Sequence, residues 1–266
     1  MDDISPTQPH GAFRPYGLFS LALSLVGASV IAVLTLALTL VLTAAVVYLL
    51  SGQPYLHALI TVGLVMIQPS QLGGLTTGIF LSACAIFLAG IVGLWAMARL
   101  RAGRAWPLLL AWTPFRADRV YRRLLLAAMA YGLGASLALG DLNLVSKIWF
   151  VMPESPLAVV AHFALGVILW PLFDELLFRG WIYTALRARF GFAAALWTTA
   201  ILFALANALL FALAHWDPTH LYALAILLLG LVLGYVRERT GSVRATTLVH
   251  MIYTLSEFAL TFLGNV

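Results

Sequence analysis

Long apolar runs separated by short polar stretches fill the chain from residue 19 onward. A helix needs about 20 consecutive apolar residues to cross the hydrocarbon core of a bilayer. We predict a membrane-spanning helix in each run that meets or approaches this length: 19–50, 72–98, 124–140, 157–185, 192–215, 221–236 and 245–263. The pattern therefore predicts an all-α, polytopic transmembrane bundle of about seven spans.

A further apolar run at 55–67 is too short to span a bilayer and is closed by a polar Gln-Pro-Ser-Gln sequence. We expect it to form an interfacial or re-entrant segment. The whole chain then forms one membrane domain. It has a tail at 1–17, N-terminal transmembrane helices at 18–150 and a C-terminal core at 151–266.

The basic residues lie mainly in the short loops between the apolar runs, where they indicate topology rather than a nucleic-acid partner. The loop after the second predicted span is the most basic one, with Arg99, Arg101, Arg104, Arg116, Arg119, Arg122 and Arg123. Basic loops remain in the cytoplasm. Alternation of the spans from this loop predicts a cytoplasmic N-terminus and a C-terminus outside.

The composition agrees with a lipid environment. Hydrophobic residues make up 63% of the chain and charged residues only 9%, against about 25% charged residues in soluble domains. The single cysteine, Cys84, excludes an internal disulfide framework and a thiolate metal cluster. We therefore expect membrane lipids as the immediate partners.

Three charged residues stand inside the fourth predicted span: Asp174, Glu175 and Arg179. Each costs about 2.5–3.5 kcal/mol at the centre of a span, so such residues usually face the bundle interior and serve a function. Glu175 and Arg179 are four residues apart and are predicted to pair on one helical face. Asp174 lies about 100° away around the helix and has no obvious partner in its own helix.

This asymmetry predicts different roles for the two acids. An acid beside a cation stays ionised, whereas an acid in an apolar site can exchange a proton. We interpret Glu175 as structural and Asp174 as the proton acceptor, and both acids stay candidates for the general base of a catalytic site. An ion pair that only locks the bundle would account for Glu175 and Arg179, but not for Asp174.

Two later spans each carry a histidine. Phe211 and His215 end the fifth span, and His250 precedes Thr254 by one helical turn in the seventh. Imidazoles and a carboxylate in one bundle can activate water. The same groups could bind a catalytic zinc ion, but the chain lacks a His-Glu-x-x-His helix. We therefore predict no cofactor, with zinc as the less favoured alternative.

At these residues the chain resembles the CPBP family, also called Abi or CAAX-protease-like proteins. The family pattern is Glu-Glu-x-x-x-Arg, then Phe-x-x-x-His, then His-x-x-x-Asn. The first motif reads Asp-Glu-Leu-Leu-Phe-Arg at 174–179, and the segment 230–242 that leads to His250 is also similar. The resemblance covers 157–255 and implies an intramembrane glutamic protease, a hydrolase, in the inner (cytoplasmic) membrane of a bacterium.

The resemblance also implies residue roles. In the family the first acid activates water with help from the first histidine, while the second histidine and the asparagine stabilise the oxyanion. Carried over, Asp174 is the base, His215 its helper, and His250 and Thr254 face the oxyanion. Such a division suits peptide hydrolysis, which needs a base for water and donors for the developing charge. The resemblance does not identify the protein or peptide substrate.

The chain departs from the family pattern at two of these positions. Asp174 stands where the family has glutamate, which withdraws the carboxylate by about 1.5 Å, and a misplacement of about 1 Å can cost 10²-fold in rate. Thr254 replaces asparagine and has a shorter reach. An alternative function follows, in which a catalytically degenerate relative serves as a scaffold or accessory subunit of a membrane complex.

The fifth span contains an imperfect repeat that leaves its register open. Phe203 precedes Asn207 as Phe211 precedes His215, with an offset of eight residues. Depth along an antiparallel helix favours Asn207 as the residue level with the acids, whereas the Trp-Asp-Pro sequence after His215 resembles the family. We predict that His215 fills the position, which requires a bend or a late start in this span.

Overall fold

The computed structural model describes residues 76–140, 155–215 and 220–263. The regular structure in these ranges is entirely helical, which confirms the predicted all-α class. The predicted first span at 19–50 and the short segment at 55–67 lie outside the described residues.

The described helices follow one another along the chain as α-helices interrupted by two π-helical segments. The first part consists of α1 Thr76–Ala102, a 3₁₀ turn Gly103–Ala105, α2 Trp106–Leu109 and α3 Arg119–Gly140. The second part consists of α4 Pro156–Phe163, π1 Ala164–Leu169, α5 Trp170–Asp174, π2 Glu175–Ile182, α6 Tyr183–His215, α7 His220–Thr240 and α8 Val243–Leu263.

Among the described residues, two helical stretches are long and apolar enough to cross a membrane, Phe80–Leu109 and Pro156–Asn207. The second stretch joins the predicted fourth and fifth spans. Its continuity is broken at Gly191, whose φ of 83° is non-helical and lies in a region that glycine adopts readily. Past Gly191 the chain returns along π2, since Phe203 packs edge-to-face on Phe178 with ring centroids 5.4 Å apart. The total of about seven spans stays a prediction.

Two glycines bring α7 close to α6. A Cβ atom added to Gly230 would lie 3.1 Å from the Cα of Ala200, and one added to Gly234 would lie 2.5 Å from the Cδ1 of Leu196. Small residues four apart allow the backbones of membrane helices to approach closely. This glycine pair is therefore used for packing within the chain.

The main core lies between α3, α6, α7 and α8. Its fully or nearly fully buried members include Tyr121, Phe203, Leu229, Leu233 and Tyr253. Burial of such side chains restricts the relative rotation of these helices because the interior is close-packed. The polar residues of the site are held within this frame.

The loop after α2 packs onto π2 and onto the turn between α7 and α8. The amide of Val243 donates to the carbonyl of Ala111 at 2.8 Å, and the hydroxyl of Thr113 donates to the carbonyl of Gly241 at 3.3 Å. A Cβ atom at Gly180 would lie 3.1 Å from the carbonyl oxygen of Leu110. Glycine after the motif arginine therefore leaves room for this loop.

Candidate active site

The acidic pair lies where an α-helix changes into a π-helix. Asp174 ends the five-residue helix α5, and Glu175 begins π2. Pro171 lacks an amide hydrogen and disfavours regular α-helical bonding. The Trp170 amide, just before this proline, bonds to the carbonyl of Leu165, five residues back. Single π-helical turns inside α-helices occur often at functional sites.

Glu175 is the centre of a buried ion-pair network. Its Oε1 atom accepts hydrogen bonds from Arg179 Nη1 at 2.9 Å and from His250 Nδ1 at 3.1 Å. The side chains of Glu175 and Arg179 are both fully buried. Arg179 Nη2 also donates to the carbonyl of Gly230 at 3.1 Å. The pair predicted from the four-residue spacing is present, and it ties π2 to α7 and α8.

The aromatic ring of Phe203 covers this network. The Arg179 guanidinium lies over the ring at 4.3 Å from its centroid. The His250 imidazole meets the same ring edge-on, with centroids 5.7 Å apart. A cation over an aromatic face is stabilised most when water is excluded. Phe203 therefore packs on both the cation and the imidazole of the Glu175 network.

Asp174 has a different environment, and the structure corrects one expectation about it. The indole nitrogen of Trp170, one turn earlier in the same helical stretch, donates to Asp174 Oδ2 at 3.1 Å. Asp174 therefore has a partner in its own helix, although a neutral one. It is 5% exposed, and it makes no salt bridge within the described part of the chain.

Asn207 is the residue of α6 that the structure brings to Asp174. Its side chain lies beside the Asp174 carboxyl group, and its Nδ2 atom donates to the carbonyl of Phe203 at 2.9 Å. Asn207 is 8% exposed. The Phe-Ala-Leu-Ala-Asn half of the repeat thus lies at the site.

His215 lies farther along the same helix. The backbone of α6 is helical from the residue after Gly191 to His215, so the bend or late start that a helper role for His215 requires is not found. Eight residues of α-helix separate Asn207 from His215 by about 12 Å. The side chains of Phe211 and His215 lie outside the described residues, so the helper role of His215 stays a prediction.

His250 and Thr254 follow one another on α8. Because a carboxylate only accepts hydrogen bonds, the contact with Glu175 places a proton on His250 Nδ1 and leaves Nε2 as the other ring nitrogen of the site. The Thr254 hydroxyl donates to the carbonyls of His250 and Met251, each at 3.2 Å. This hydroxyl is used within its own helix rather than offered to an oxyanion.

The arrangement provides a base and an oriented imidazole for proton transfer. In the described ranges no group of three or more His, Cys, Asp and Glu side chains could hold a metal ion. Trp170 is not among the predicted site residues, although its four-residue spacing to Asp174 could have indicated it. The Gly230 carbonyl could not be predicted, because backbone acceptors have no sequence signature.

Residues 156–256 match the family described as Type II CAAX prenyl endopeptidase Rce1-like. No curated protein and no solved structure matches the chain. The matched segment runs from α4 into α8 and includes Asp174, Glu175, Asn207 and His250. The chain is therefore a membrane protein whose segment 156–256 matches the Rce1-like, CAAX-protease-like family that its motifs predicted.

Proposed function

We propose that the chain is an intramembrane endopeptidase in which Asp174 activates the attacking water. The family match supports this class of activity. The observation that carries the role of Asp174 is the contrast with its neighbour: Glu175 Oε1 is bound by both Arg179 and His250, whereas Asp174 accepts from a neutral indole. A general base must be free to accept a proton.

The chemistry follows from these positions. Asp174 accepts a proton from water while the water oxygen forms a bond to the carbonyl carbon of the substrate. The tetrahedral intermediate then loses its amine, which takes the proton back from Asp174 as the C–N bond breaks. Glu175 orients His250 through Nδ1, and a ring that carries a proton on each nitrogen can donate from Nε2 to the developing oxyanion. The Asn207 amide lies beside Asp174 and can help to hold the water.

The other expectations of the sequence are part of this proposal. The chemistry uses no metal, so no cofactor is required. The substrate is a protein or peptide that reaches the site within the membrane, and nucleic acid is not a partner. We place the chain in the inner membrane of a bacterium, with its N-terminus in the cytoplasm and its C-terminus outside, because of the arginine-rich loops.

A second candidate function is a non-catalytic scaffold or accessory subunit of a membrane complex. Two observations favour it. Asn207, not an imidazole, lies beside Asp174, and the hydroxyl of Thr254 is turned onto its own helix. A site that has lost its helper base and one oxyanion donor can keep its fold while it loses its catalytic rate.

The test is cleavage by the full chain in proteoliposomes that contain a mixture of synthetic single-span peptides, with products identified by mass spectrometry. We expect Asp174→Asn to lower the rate by about 10²–10⁴-fold. Asp118→Asn is the matched control, because Asp118 is an exposed carboxylate that pairs with Arg239 at 3.0 Å. Cleavage that persists in Asp174→Asn contradicts the assignment. No cleavage by the unaltered chain, together with stoichiometric partner chains on purification, favours the scaffold.

A further inference from the structure

Arg237 is a buried cation whose hydrogen bonds go to neutral acceptors on π2 and at the start of α6. It is 6% exposed, although it lies in the last turn of α7. Its Nε atom donates to the backbone carbonyl of Arg179 at 3.2 Å, and its Nη2 atom donates to the hydroxyl of Thr184 at 3.3 Å. Arg239, two residues later, instead forms an exposed salt bridge with Asp118.

The carbonyl of Arg179 stands where π2 changes back into an α-helix. The amide of Tyr183 bonds to the carbonyl of Phe178, five residues back, and α6 begins at Tyr183. In α6 each amide bonds four residues back, so the amide of Thr184 reaches Gly180. Where the spacing of the backbone hydrogen bonds changes from five residues to four, one carbonyl, that of Arg179, receives no amide donor from the helix. A buried carbonyl without a donor is costly, above all in a membrane.

Arg237 supplies the donor that this passed-over carbonyl needs. A second guanidinium bond runs in the opposite direction, because Arg179 Nη2 donates to the carbonyl of Gly230 on α7. Residues 230 and 237 lie about two turns apart on α7. Two bonds at two levels fix both the rotation and the depth of π2 relative to α7.

We propose that Arg237 is a positioning residue that holds the π-helical register of residues 175–182 and thereby orients Asp174 and Glu175. Without its donor, the Arg179 carbonyl is satisfied when the segment tightens to α-helical bonding. Such a change shifts the helical face by one residue, which is about 100° of rotation. Arg179 and Glu175 then leave their partners on α7 and α8. This role concerns the fold of the site and does not require that the site be catalytic.

The first experiment measures amide hydrogen exchange of the full chain in lipid nanodiscs. Arg237→Met replaces the guanidinium and all its donors with an apolar side chain, and Arg237→Lys keeps one donor group. Arg239→Gln is the control on the same helix. We expect exchange over residues 179–184 to be about 10-fold or more faster in Arg237→Met, in line with the loss of one hydrogen bond. We expect an intermediate rate in Arg237→Lys and no change in Arg239→Gln.

Unchanged exchange over 179–184 in Arg237→Met overturns the proposal. So does an equal acceleration in all described helices, which would show general destabilisation. If Arg237→Met cannot be purified, Arg237→Lys decides: exchange in this segment equal to that of Arg239→Gln overturns the proposal, because the lysine cannot reproduce both bonds of the guanidinium.

The second experiment rests on the proposed function and compares the variants with the unaltered chain on the single-span peptides of the cleavage test. A misplaced carboxylate lowers kcat, by about 10–100-fold for a shift near 1 Å, while KM changes little because the peptide still binds. If neither the variants nor the unaltered chain cleaves, the proposed protease function is contradicted. The hydrogen-exchange result still tests the role of Arg237 in the fold. Unchanged kcat in Arg237→Met with accelerated exchange would overturn the orienting role.

Discussion

The two neighbouring acids of the fourth predicted span belong to two different regions of the molecule. The Glu175 region joins π2, α7 and α8 through an ion pair, an imidazole and a backbone carbonyl. The Asp174 region joins α5, α6 and α1, where Phe87 stacks on Trp170 with centroids 5.1 Å apart. The neutral indole of Trp170 donates a hydrogen bond to Asp174 at 3.1 Å.

This difference separates architecture from chemistry. A buried charge must be compensated, and an ion pair that loses one partner leaves the other without compensation. Glu175 therefore cannot change its protonation state without disturbing Arg179. Asp174 can, because no ion pair depends on it among the described residues. Adjacent positions in one helix thus serve the fold and the reaction separately.

The largest effect is expected from breaking the Glu175 region. Glu175→Gln leaves the Arg179 guanidinium buried without its counter-ion, and loss of one partner of a buried pair costs about 3–5 kcal/mol. Asp174→Asn breaks no ion pair and should lower the free energy of unfolding by less than about 1 kcal/mol. Reversible unfolding in mixed micelles measures both values.

The double variant Glu175→Gln with Arg179→Met tests the reason for that loss. Removal of both charges leaves no uncompensated cation, so we expect it to recover much of the stability lost in Glu175→Gln. Equal destabilisation by Asp174→Asn and Glu175→Gln would contradict the division of the two regions.

A gain of function is expected from changing the Asp174 region. Asn207→His places an imidazole beside Asp174, where the family pattern has its first histidine. A positioned general base contributes about 10²–10⁴-fold, and we expect an increase of about 10²-fold in kcat/KM. The measurement is cleavage of one defined single-span peptide in proteoliposomes. His215→Ala should leave the rate unchanged if Asn207 fills the helper position, and a loss of activity in that variant would support the predicted helper role of His215.

The sequence predicted those features that depend on local spacing. The Glu175–Arg179 pair followed from a four-residue interval, and the all-helical class followed from the lengths of the apolar runs. The choice between Asn207 and His215 could not be made in the same way, because it depends on the depth of α6 relative to the acids. That depth is set by the reversal at Gly191 and by packing on π2.

Other features of the site depend on contacts between distant parts of the chain. The role of Gly230 is carried by its backbone carbonyl, which every residue has. The two π-helical segments also lack a sequence signature beyond Pro171, and they determine which carbonyl Arg237 reaches. The contact of Leu110 with Gly180 joins the arginine-rich loop to the motif, and no spacing rule connects those positions.

A smaller effect should come from the neutral hydrogen bond between Trp170 and Asp174. Trp170→Phe keeps a ring that can stack on Phe87 but removes the donor to Asp174. We expect the free energy of unfolding to fall by about 1 kcal/mol. Trp197→Phe is the matched control, because Trp197 is 51% exposed on α6. Equal changes in the two variants would show that the indole bond to Asp174 contributes nothing.

The smallest effect on stability is expected from an acid–arginine pair at the surface, which can be compared with the buried pair of Glu175 and Arg179. Glu238 pairs with Arg187 at 2.8 Å, with side chains 30% and 45% exposed. Hydrogen bonds from Arg187 are the largest cause of the shift in the pKa of Glu238, and they hold it below its ordinary value of 4.5. Because the pKa of Glu238 is lowered in the folded chain, its ionised carboxylate stabilises the fold above pH 4.5. This contribution is lost as the pH falls through the lowered pKa.

Arg187→Gln tests this pair. We expect it to lower the free energy of unfolding at pH 7 by less than about 1 kcal/mol, because solvent screens exposed pairs. The difference from the unaltered chain should vanish on acidification below the pKa of Glu238, as measured by unfolding in micelles between neutral and acidic pH. Arg189→Gln serves as the control, because Arg189 lies over the ring of Phe190 rather than on a carboxylate. A loss as large as that of Glu175→Gln would mean that burial does not distinguish the two acid–arginine pairs.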